Sequence, residues 1–270
     1  MTSKDYVLGT QADELARLEF QHKVWIQQAY ALFQRAGFRE GQVVLDLGCG
    51  PGFTSMELAH VVGPKGKVIA RDQSAAFLEF LAGERTRRGL LQIEPSEGPV
   101  ETLALADASL DAIYSRWLFC WLADPGAVLL RVAKFLRPGG VIALQEYLDW
   151  AAMKHVPRDA KFDSLVSAAM RSWSDAKARI DIAEEIPTLA ERAGLEVVYF
   201  QPIPRAGRPG SLEWRWIETF FETYAPKLVE RGLLTAQQLE DWLPAVHSQG
   251  ASDRRHCVTP MMADVVLRKR

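Results

Sequence analysis

Residues 43–54 are VVLDLGCGPGFT, a short apolar run that passes directly into three closely spaced glycines. The apolar run is typical of a buried strand, and the residues after the glycines begin a helical pattern. Glycines are needed in such a turn because it demands positive φ angles and because a ligand has to approach the backbone closely. A strand–turn–helix unit of this kind predicts a ligand site at the carboxyl end of the strand.

The spacing of the glycines narrows the choice of ligand. Gly48, Gly50 and Gly52 form Gly-x-Gly-x-Gly, whereas dinucleotide-binding folds favour Gly-x-Gly-x-x-Gly and phosphate loops require a Gly-Lys-Ser/Thr that is absent here. Asp46 precedes the first glycine by two residues. A carboxylate beside the turn suits a positively charged ligand, such as the ammonium group of an amino acid, better than a pyrophosphate. The alternative is a tight turn that binds nothing.

Strand and helix patterns alternate around this segment, which implies parallel pairing through right-handed crossovers. We therefore predict an α/β fold, a doubly wound, seven-stranded and mostly parallel sheet of the Rossmann-like type with added helical lid segments. The predicted strands are 43–47, 67–71, 90–93, 111–115, 141–145, 196–200 and 259–267. The predicted helices are 11–36, 54–62, 74–88, 125–136, 159–176, 183–193, 211–230 and 235–247.

The same patterns predict how the chain is divided. We expect a core that is interrupted twice by helical segments and preceded by another. The predicted parts are an N-terminal helical lid at 1–37, a ligand-binding core at 38–148, a helical insertion at 149–181, a continuation of the core at 182–203, a helical insertion or cap at 204–255, and a final core strand at 256–270.

Composition sets limits on partners and location. The 270 residues carry a formal net charge of −2, which disfavours nucleic acid because a protein that follows phosphates normally has a basic excess. Neither a signal peptide nor a membrane span is expected from the sequence. Cys49, Cys120 and Cys257 are far apart and odd in number, which argues against a disulfide framework and a closed zinc site. We expect a cytoplasmic protein without a metal, either a monomer or a homodimer.

Two segments resemble a known family. Residues 46–52, DLGCGPG, are similar to the first signature of the class I methyltransferases that use S-adenosylmethionine (SAM). Residues 131–140, RVAKFLRPGG, are similar to the R-x-L-K-P-G-G segment of their type 11 group, which includes ubiquinone and menaquinone methyltransferases. The resemblance covers roughly residues 38–148. It implies SAM as the methyl donor and is nearly silent about the methyl acceptor.

The resemblance also implies roles for single residues. The turn formed by Gly48, Cys49, Gly50 and Gly52 would surround the methionine part of SAM, and Asp46 would act on its ammonium side. Asp72 ends the second predicted strand, where the family's acidic residue binds both ribose hydroxyls, and Gln73 would assist.

The next family element departs from its pattern. The family usually has Gly-Asp-Ala, whose Asp contacts the adenine amino group, but Pro99 occupies the acidic position here. Val100 would then supply backbone and apolar contact, and Glu101 would substitute for the missing acid. Arg116 follows the fourth predicted strand, where it either contacts the SAM carboxylate or is solvated or ion-paired.

The acceptor is predicted only by class. Residues 115–117, SRW, stand where nucleic-acid amino-methyltransferases have an Asn/Asp-Pro-Pro-aromatic motif, and none of the cysteines follows a proline. Both absences favour a small metabolite, and tryptophans in the added segments suggest an apolar or aromatic one. The candidate proton acceptors are His22, Glu146, Tyr147 and His155. Two alternatives stay open: a SAM-binding sensor or scaffold without catalysis, and a nicotinamide-dependent oxidoreductase, which the glycine spacing disfavours.

Overall fold

The computed structural model describes residues 12–252 and 254–270, and these divide into two compact units. The sheet unit comprises residues 25–146, 182–201 and 263–270. The helical unit comprises the described residues up to 24, together with 147–181 and 202–262.

The main sheet has seven strands, and a second sheet has three short ones. The ten strands are numbered in chain order. Those of the main sheet are β1 (Val43–Leu47), β2 (Lys67–Asp72), β3 (Ile93–Glu97), β4 (Leu110–Arg116), β5 (Leu136–Asp149), β7 (Leu195–Ile203) and β10 (Met261–Lys269). They lie in the order β3-β2-β1-β4-β5-β10-β7, and β1 to β5 pair in parallel. The predicted doubly wound, mostly parallel seven-stranded sheet is confirmed.

The helices of the sheet unit arise where the sequence buries an apolar stripe. Phe33, on α1, packs edge-on against Tyr114 of β4 with 5.2 Å between ring centroids. Leu45 and Ile113 alternate with the residues of that face and are fully buried as well, because a parallel sheet is covered on both sides. The helices that belong wholly or partly to this unit are α1 (Ala12–Ala36), α2 (Phe53–Val62), α3 (Ala75–Arg88), α4 (Pro125–Phe135) and α6 (Ile186–Arg192).

The helical unit has its own core and its own sheet. The core contains aromatic pairs such as Trp150 and Trp173, whose ring centroids are 4.3 Å apart. Thr235 and Gln238 form a reciprocal capping box at the start of its last helix. Its helices are α5 (Ala160–Asp175), α7 (Leu212–Glu230) and α8 (Ala236–Trp242), and its sheet is formed by β6 (Lys154–Val156), β8 (Ala206–Gly207) and β9 (His256–Val258) in the order β6-β9-β8.

Several predicted boundaries were wrong. The third strand does not span 90–93 but starts at Ile93, because Gly89 ends α3 in a left-handed conformation and the amide of Leu90 turns back to the carbonyl of Arg85. The fifth strand was predicted at 141–145, yet it spans Leu136–Asp149 and includes an irregularity in its pairing with β4. The helix predicted at 235–247 ends at Trp242 and continues as a 3-10 turn, since Pro244 follows.

The chain passes between the two units at several points, one of which lies inside α1. The division between the two units falls after Val24 within α1, and residues 256–262 lie in the helical unit. The second placement follows from pairing, because β9 joins β6 and β8. The roles of lid and insertion for the added segments stay predictions. None of the described helices has the length and apolar character that crossing a bilayer requires.

Candidate functional site

The turn after β1 is built from left-handed glycines and is attached to the end of β2. Gly48, Gly50 and Gly52 have φ angles of 72°, 53° and 78°, as the sequence predicted for this turn. The amides of Gly48 and Cys49 both donate to the carbonyl of Arg71, at 2.9 and 3.0 Å. The chain therefore passes from β1 into α2 with its backbone fixed against the neighbouring strand.

Asp72 lies directly beside this turn. Its Oδ2 accepts the amide of Gly50 at 2.8 Å, and its Oδ1 accepts the amide of Ser74 at 2.9 Å. Burial raises the pKa of the carboxyl, and these backbone hydrogen bonds work in the opposite direction. One side chain thus orients both the turn after β1 and the start of α3, for which Ser74 is the N-cap.

Asp46 is buried near the end of β1, opposite Tyr114 of β4 and Ala70 of β2. Ser55 on α2 donates its hydroxyl to Asp46 Oδ2 at 2.6 Å. Burial raises the pKa of Asp46 to about 7, although Ser55 and the nearby guanidinium of Arg116 both lower it. The carboxyl of Asp46 is therefore a weaker acid than that of an exposed aspartate.

Arg116 ends β4 on the same face of the sheet. Its Nη2 donates to Thr54 Oγ1 at 3.2 Å, and its guanidinium lies 5.0 Å from the ring centroid of Trp117. The arginine is half-buried and held between α2 and an aromatic ring. A cation and the acid of Asp46 thus lie close together at the carboxyl ends of β1 and β4.

The segment after β3 contains Pro99 where the family's acid was expected. Val100 is 6% exposed and begins a 3-10 turn over 100–102. Glu101, in the same turn, is exposed, and so is Gln73, which directly follows β2. Of the residues predicted near an adenine, only Val100 therefore has a fixed, buried position.

Sequence reasoning missed Arg71, which binds this segment. Its guanidinium donates to Ser96 Oγ at 3.0 Å, to the carbonyl of Glu97 and to the carbonyl of Pro99 at 3.0 Å. A basic residue one position before Asp72 in a buried strand was the available signal, because a buried guanidinium needs several acceptors.

Glu146 lies at the carboxyl end of β5 and organises the loop after β4. Its Oε1 accepts the amides of Leu118 and Phe119, each at 2.9 Å. Its Oε2 is buried and has no hydrogen-bond partner among the described residues. Burial raises the pKa of Glu146 to about 7. The loop also borders the glycine turn, because a Cβ on Gly48 would lie 2.9 Å from Leu118 Cδ1.

A chain of buried hydrogen bonds crosses the sheet behind these groups. Tyr114 donates to Gln145 Oε1 at 2.7 Å, and Gln145 Nε2 donates to Asp264 Oδ1 at 2.8 Å. Gln28 on α1 donates to the other oxygen of Asp264 at 3.1 Å. The chain fixes α1 and β10 to the strands that carry the site.

The other three proton-acceptor candidates belong to the helical unit, whereas Glu146 belongs to the sheet unit. His155 is stacked between Phe162 and Trp214, and Arg255 contacts its Nδ1 at 3.0 Å. Burial, with Arg255 second, lowers the pKa of His155 to about 4. His22 is buried on α1, and Tyr147 packs edge-on against Trp150.

The profile of a methyltransferase domain family matches residues 38–207, which span the turn, β1 to β5 and β7. The chain belongs to the class I SAM-dependent methyltransferases. The resemblance of residues 46–52 and 131–140 to the type 11 group is thereby confirmed, and the family implies SAM as the methyl donor.

Two curated relatives are methyltransferases. A ubiquinone/menaquinone biosynthesis C-methyltransferase of Francisella tularensis is 30% identical over 127 residues, covering 47% of this chain and 50% of that protein. A trans-aconitate 2-methyltransferase of Variovorax paradoxus is 37% identical over 117 residues, covering 43% of each. The chain thus spans about half the length of these relatives or less.

The fold itself recurs in solved structures. A putative methyltransferase of Bacillus halodurans aligns over 89% of this chain and 97% of its own, with a TM-score of 0.59 and 16% identity. This likeness agrees with the seven-stranded sheet of the methyltransferase domain and says nothing of the acceptor.

Proposed function

We propose that the sheet unit binds SAM at the carboxyl ends of β1 to β4 and that the protein methylates a small metabolite. The observation that carries this proposal is the turn at Gly48–Gly52, which is fixed by Arg71 and Asp72 beside a buried acid. SAM would supply a methyl group on a sulfonium, whose carbon can bond in line to a nucleophilic atom of the acceptor as S-adenosylhomocysteine leaves. The residues of the chain have to bind it, orient it and exclude water.

Asp46 and Arg116 suit the amino-acid part of SAM. The ammonium group of SAM would bind at the carboxylate of Asp46, and its carboxylate at the guanidinium of Arg116, so that each charge meets its opposite. Gly48, Cys49, Gly50 and Gly52 would surround the methionine chain. A Cβ on Gly50 meets no atom within 4 Å, so there is open space in front of the turn.

Asp72 suits the two ribose hydroxyls. Each of its oxygens already accepts one backbone amide, and a carboxylate oxygen has two acceptor positions. One position on each oxygen therefore remains for a hydroxyl donor. Val100 would provide the buried contact to adenine, and exposed Glu101 would substitute there for the missing acid. Exposed Gln73 would assist Asp72 at the ribose.

The acceptor we propose is a small, apolar or aromatic metabolite. The names of the two relatives refer to the biosynthesis of ubiquinone and menaquinone and to trans-aconitate, all of which are small molecules. The net charge of −2 also disfavours a polyanion. Glu146 is the proton-acceptor candidate in the same unit as the SAM site, and His22, Tyr147 and His155 stay lower candidates.

Two measurements test this function. Calorimetry should detect SAM and S-adenosylhomocysteine (SAH) binding, and methyl-labelled SAM should label a small molecule in a fractionated extract of the organism that encodes the protein. Binding of SAM without any labelled product would favour a sensor or scaffold. Tight binding of NADH without SAM binding would contradict the proposal and favour the oxidoreductase.

A further inference from the structure

The side chain of Arg71 holds the segment that follows β3. Its planar guanidinium makes three hydrogen bonds, to Ser96 Oγ, to the carbonyl of Glu97 and to the carbonyl of Pro99. The residue is 9% exposed, so water competes little for these donors. Lysine offers a compact ammonium on a flexible stem and does not reproduce this fork.

Gly98 is shaped to fit this contact. Its φ is +128°, and a Cβ on it would lie 2.6 Å from Arg71 Nη2. Its amide also donates to the carbonyl of Asp72 at 2.8 Å. The segment and the guanidinium therefore fit each other only because residue 98 has no side chain.

The backbone of the same residue holds the glycine turn. The carbonyl of Arg71 accepts the amides of Gly48 and Cys49. Arg71 thus connects two segments that lie on either side of the end of β2: the turn after β1 through its backbone, and the segment after β3 through its side chain.

We infer that Arg71 is a positioning residue for the adenosyl half of SAM. The inference rests on the proposed function, in which the ligand extends along the carboxyl ends of β1, β2 and β3. Pro99 offers neither a side-chain donor nor a side-chain acceptor to a ligand, so recognition there depends on where the backbone of residues 96–100 is held. Arg71 sets that position and, with it, the position of Val100.

Calorimetry with two probes locates the effect. SAH contains both halves of the ligand, whereas 5′-methylthioadenosine contains the adenosyl half without the amino acid. Arg71→Met should raise the Kd of both probes by the same factor, about ten- to a hundredfold, because an unfixed segment costs both ligands equally. Arg71→Lys should recover part of the loss. Asp46→Asn should raise the Kd of SAH and leave that of methylthioadenosine unchanged.

Arg85→Met is the matched control. Arg85 also donates to a backbone carbonyl, that of Leu91 at 3.1 Å, but before β3 rather than after it. Its removal should leave both affinities within twofold of wild type. Melting of each variant without ligand keeps loss of folding separate from loss of binding.

Gly98→Ala provides a second route if Arg71→Met does not fold. Its Cβ displaces the guanidinium, and we expect the same parallel loss for both probes. Wild-type affinities in Arg71→Met or Gly98→Ala, or a loss for SAH alone, would overturn the inference while the proposed function stands. Failure of the wild-type protein to bind either probe would overturn both.

Discussion

The amide of Gly50 donates to Asp72 Oδ2 at 2.8 Å, so the middle of the glycine turn is bonded to the carboxylate that ends the next strand. The two residues are 22 positions apart in the chain. This hydrogen bond joins the carboxylate, which Ser74 also orients, to the turn, which the carbonyl of Arg71 also holds. Any ligand that uses one of them meets the other in a preset geometry, which lowers the ordering cost of binding.

Asp72→Ala should weaken SAM binding by about 1–3 kcal/mol, the range of charge-assisted hydrogen bonds. Calorimetry on the folded variant gives the number. Asp124→Ala is the control, because Asp124 caps α4 by accepting the amide of Ala127 in the way that Asp72 accepts Ser74. The control should lose stability and keep its affinity for SAM. Unchanged affinity in Asp72→Ala would contradict the ribose assignment.

Gly50→Val should abolish SAM binding and leave the sheet folded. The new side chain fills the space in front of the turn, and a positive φ costs about 1–3 kcal/mol of stability. Gly89→Val is its match, since Gly89 also has a positive φ, 68°, and no neighbour within 4 Å of a Cβ, but ends α3 away from the turn. We expect the two variants to have equal melting temperatures and only Gly50→Val to lose SAM binding. Retained binding would mean that the ligand does not lie on this turn.

SAM affinity should depend on pH through Asp46. Burial raises the pKa of its carboxyl to about 7, so below pH 7 the free protein holds a proton that the ammonium group of SAM must displace. The Kd should rise by up to about tenfold per pH unit below 7 and level off above it. Asp72, whose pKa is also raised, adds in the same direction.

Calorimetry from about pH 5.5 to 8.5 tests this dependence. Asp46→Asn should bind SAM more weakly at pH 8 and show a shallower slope, because the amide has no proton to release. A wild-type Kd that is constant across the range would contradict the assignment of Asp46 to the ammonium group.

Glu146 should make the stability of the protein fall as pH rises. Its pKa is raised from 4.5 to about 7, so its contribution is fully present below pH 4.5 and is lost as pH rises through about 7. Glu146→Gln removes this dependence. The free energy of unfolding of the variant relative to wild type should therefore increase from pH 5 to pH 8, by on the order of 3 kcal/mol.

Urea unfolding at both pH values measures the difference. Glu146→Ala serves as the comparison, since it also removes the acceptor of the Leu118 and Phe119 amides and should be less stable at either pH. A Gln variant whose relative stability does not change with pH would show that Glu146 titrates normally.

The sequence predicted the parts of the site that are local. A strand, three glycines and an acid at the next strand end are contiguous patterns, so the positive φ angles of the turn followed from residues 43–54 and the place of Asp72 from the strand before it. The role of Arg71 did not follow, because its partners lie 25 to 28 residues away on a segment whose path depends on where β3 starts. The sequence predicted a strand at 90–93, whereas β3 starts at Ile93, so the path of the following segment could not be predicted.

The second sheet could not be predicted for a similar reason. Its strands are two or three residues long, which is too short for an alternating pattern, and their pairing joins Lys154 to Val258 across about a hundred residues. The buried state of Glu146 was equally invisible, since a glutamate at a strand end is ordinarily solvated. The amides of Leu118 and Phe119 donate hydrogen bonds to Glu146 and so offset part of the cost of burying it.

The position of β10 has a consequence for biosynthesis. It is synthesised after both β5 and β7, yet it lies between them in the sheet. During synthesis β7 therefore emerges before β10, its neighbour in the sheet. The side-chain amide of Gln145 likewise lacks its acceptor, Asp264, until β10 has been made. A nascent chain halted before residue 261 would hold β1 to β5 with an open edge, the kind of surface that chaperones protect.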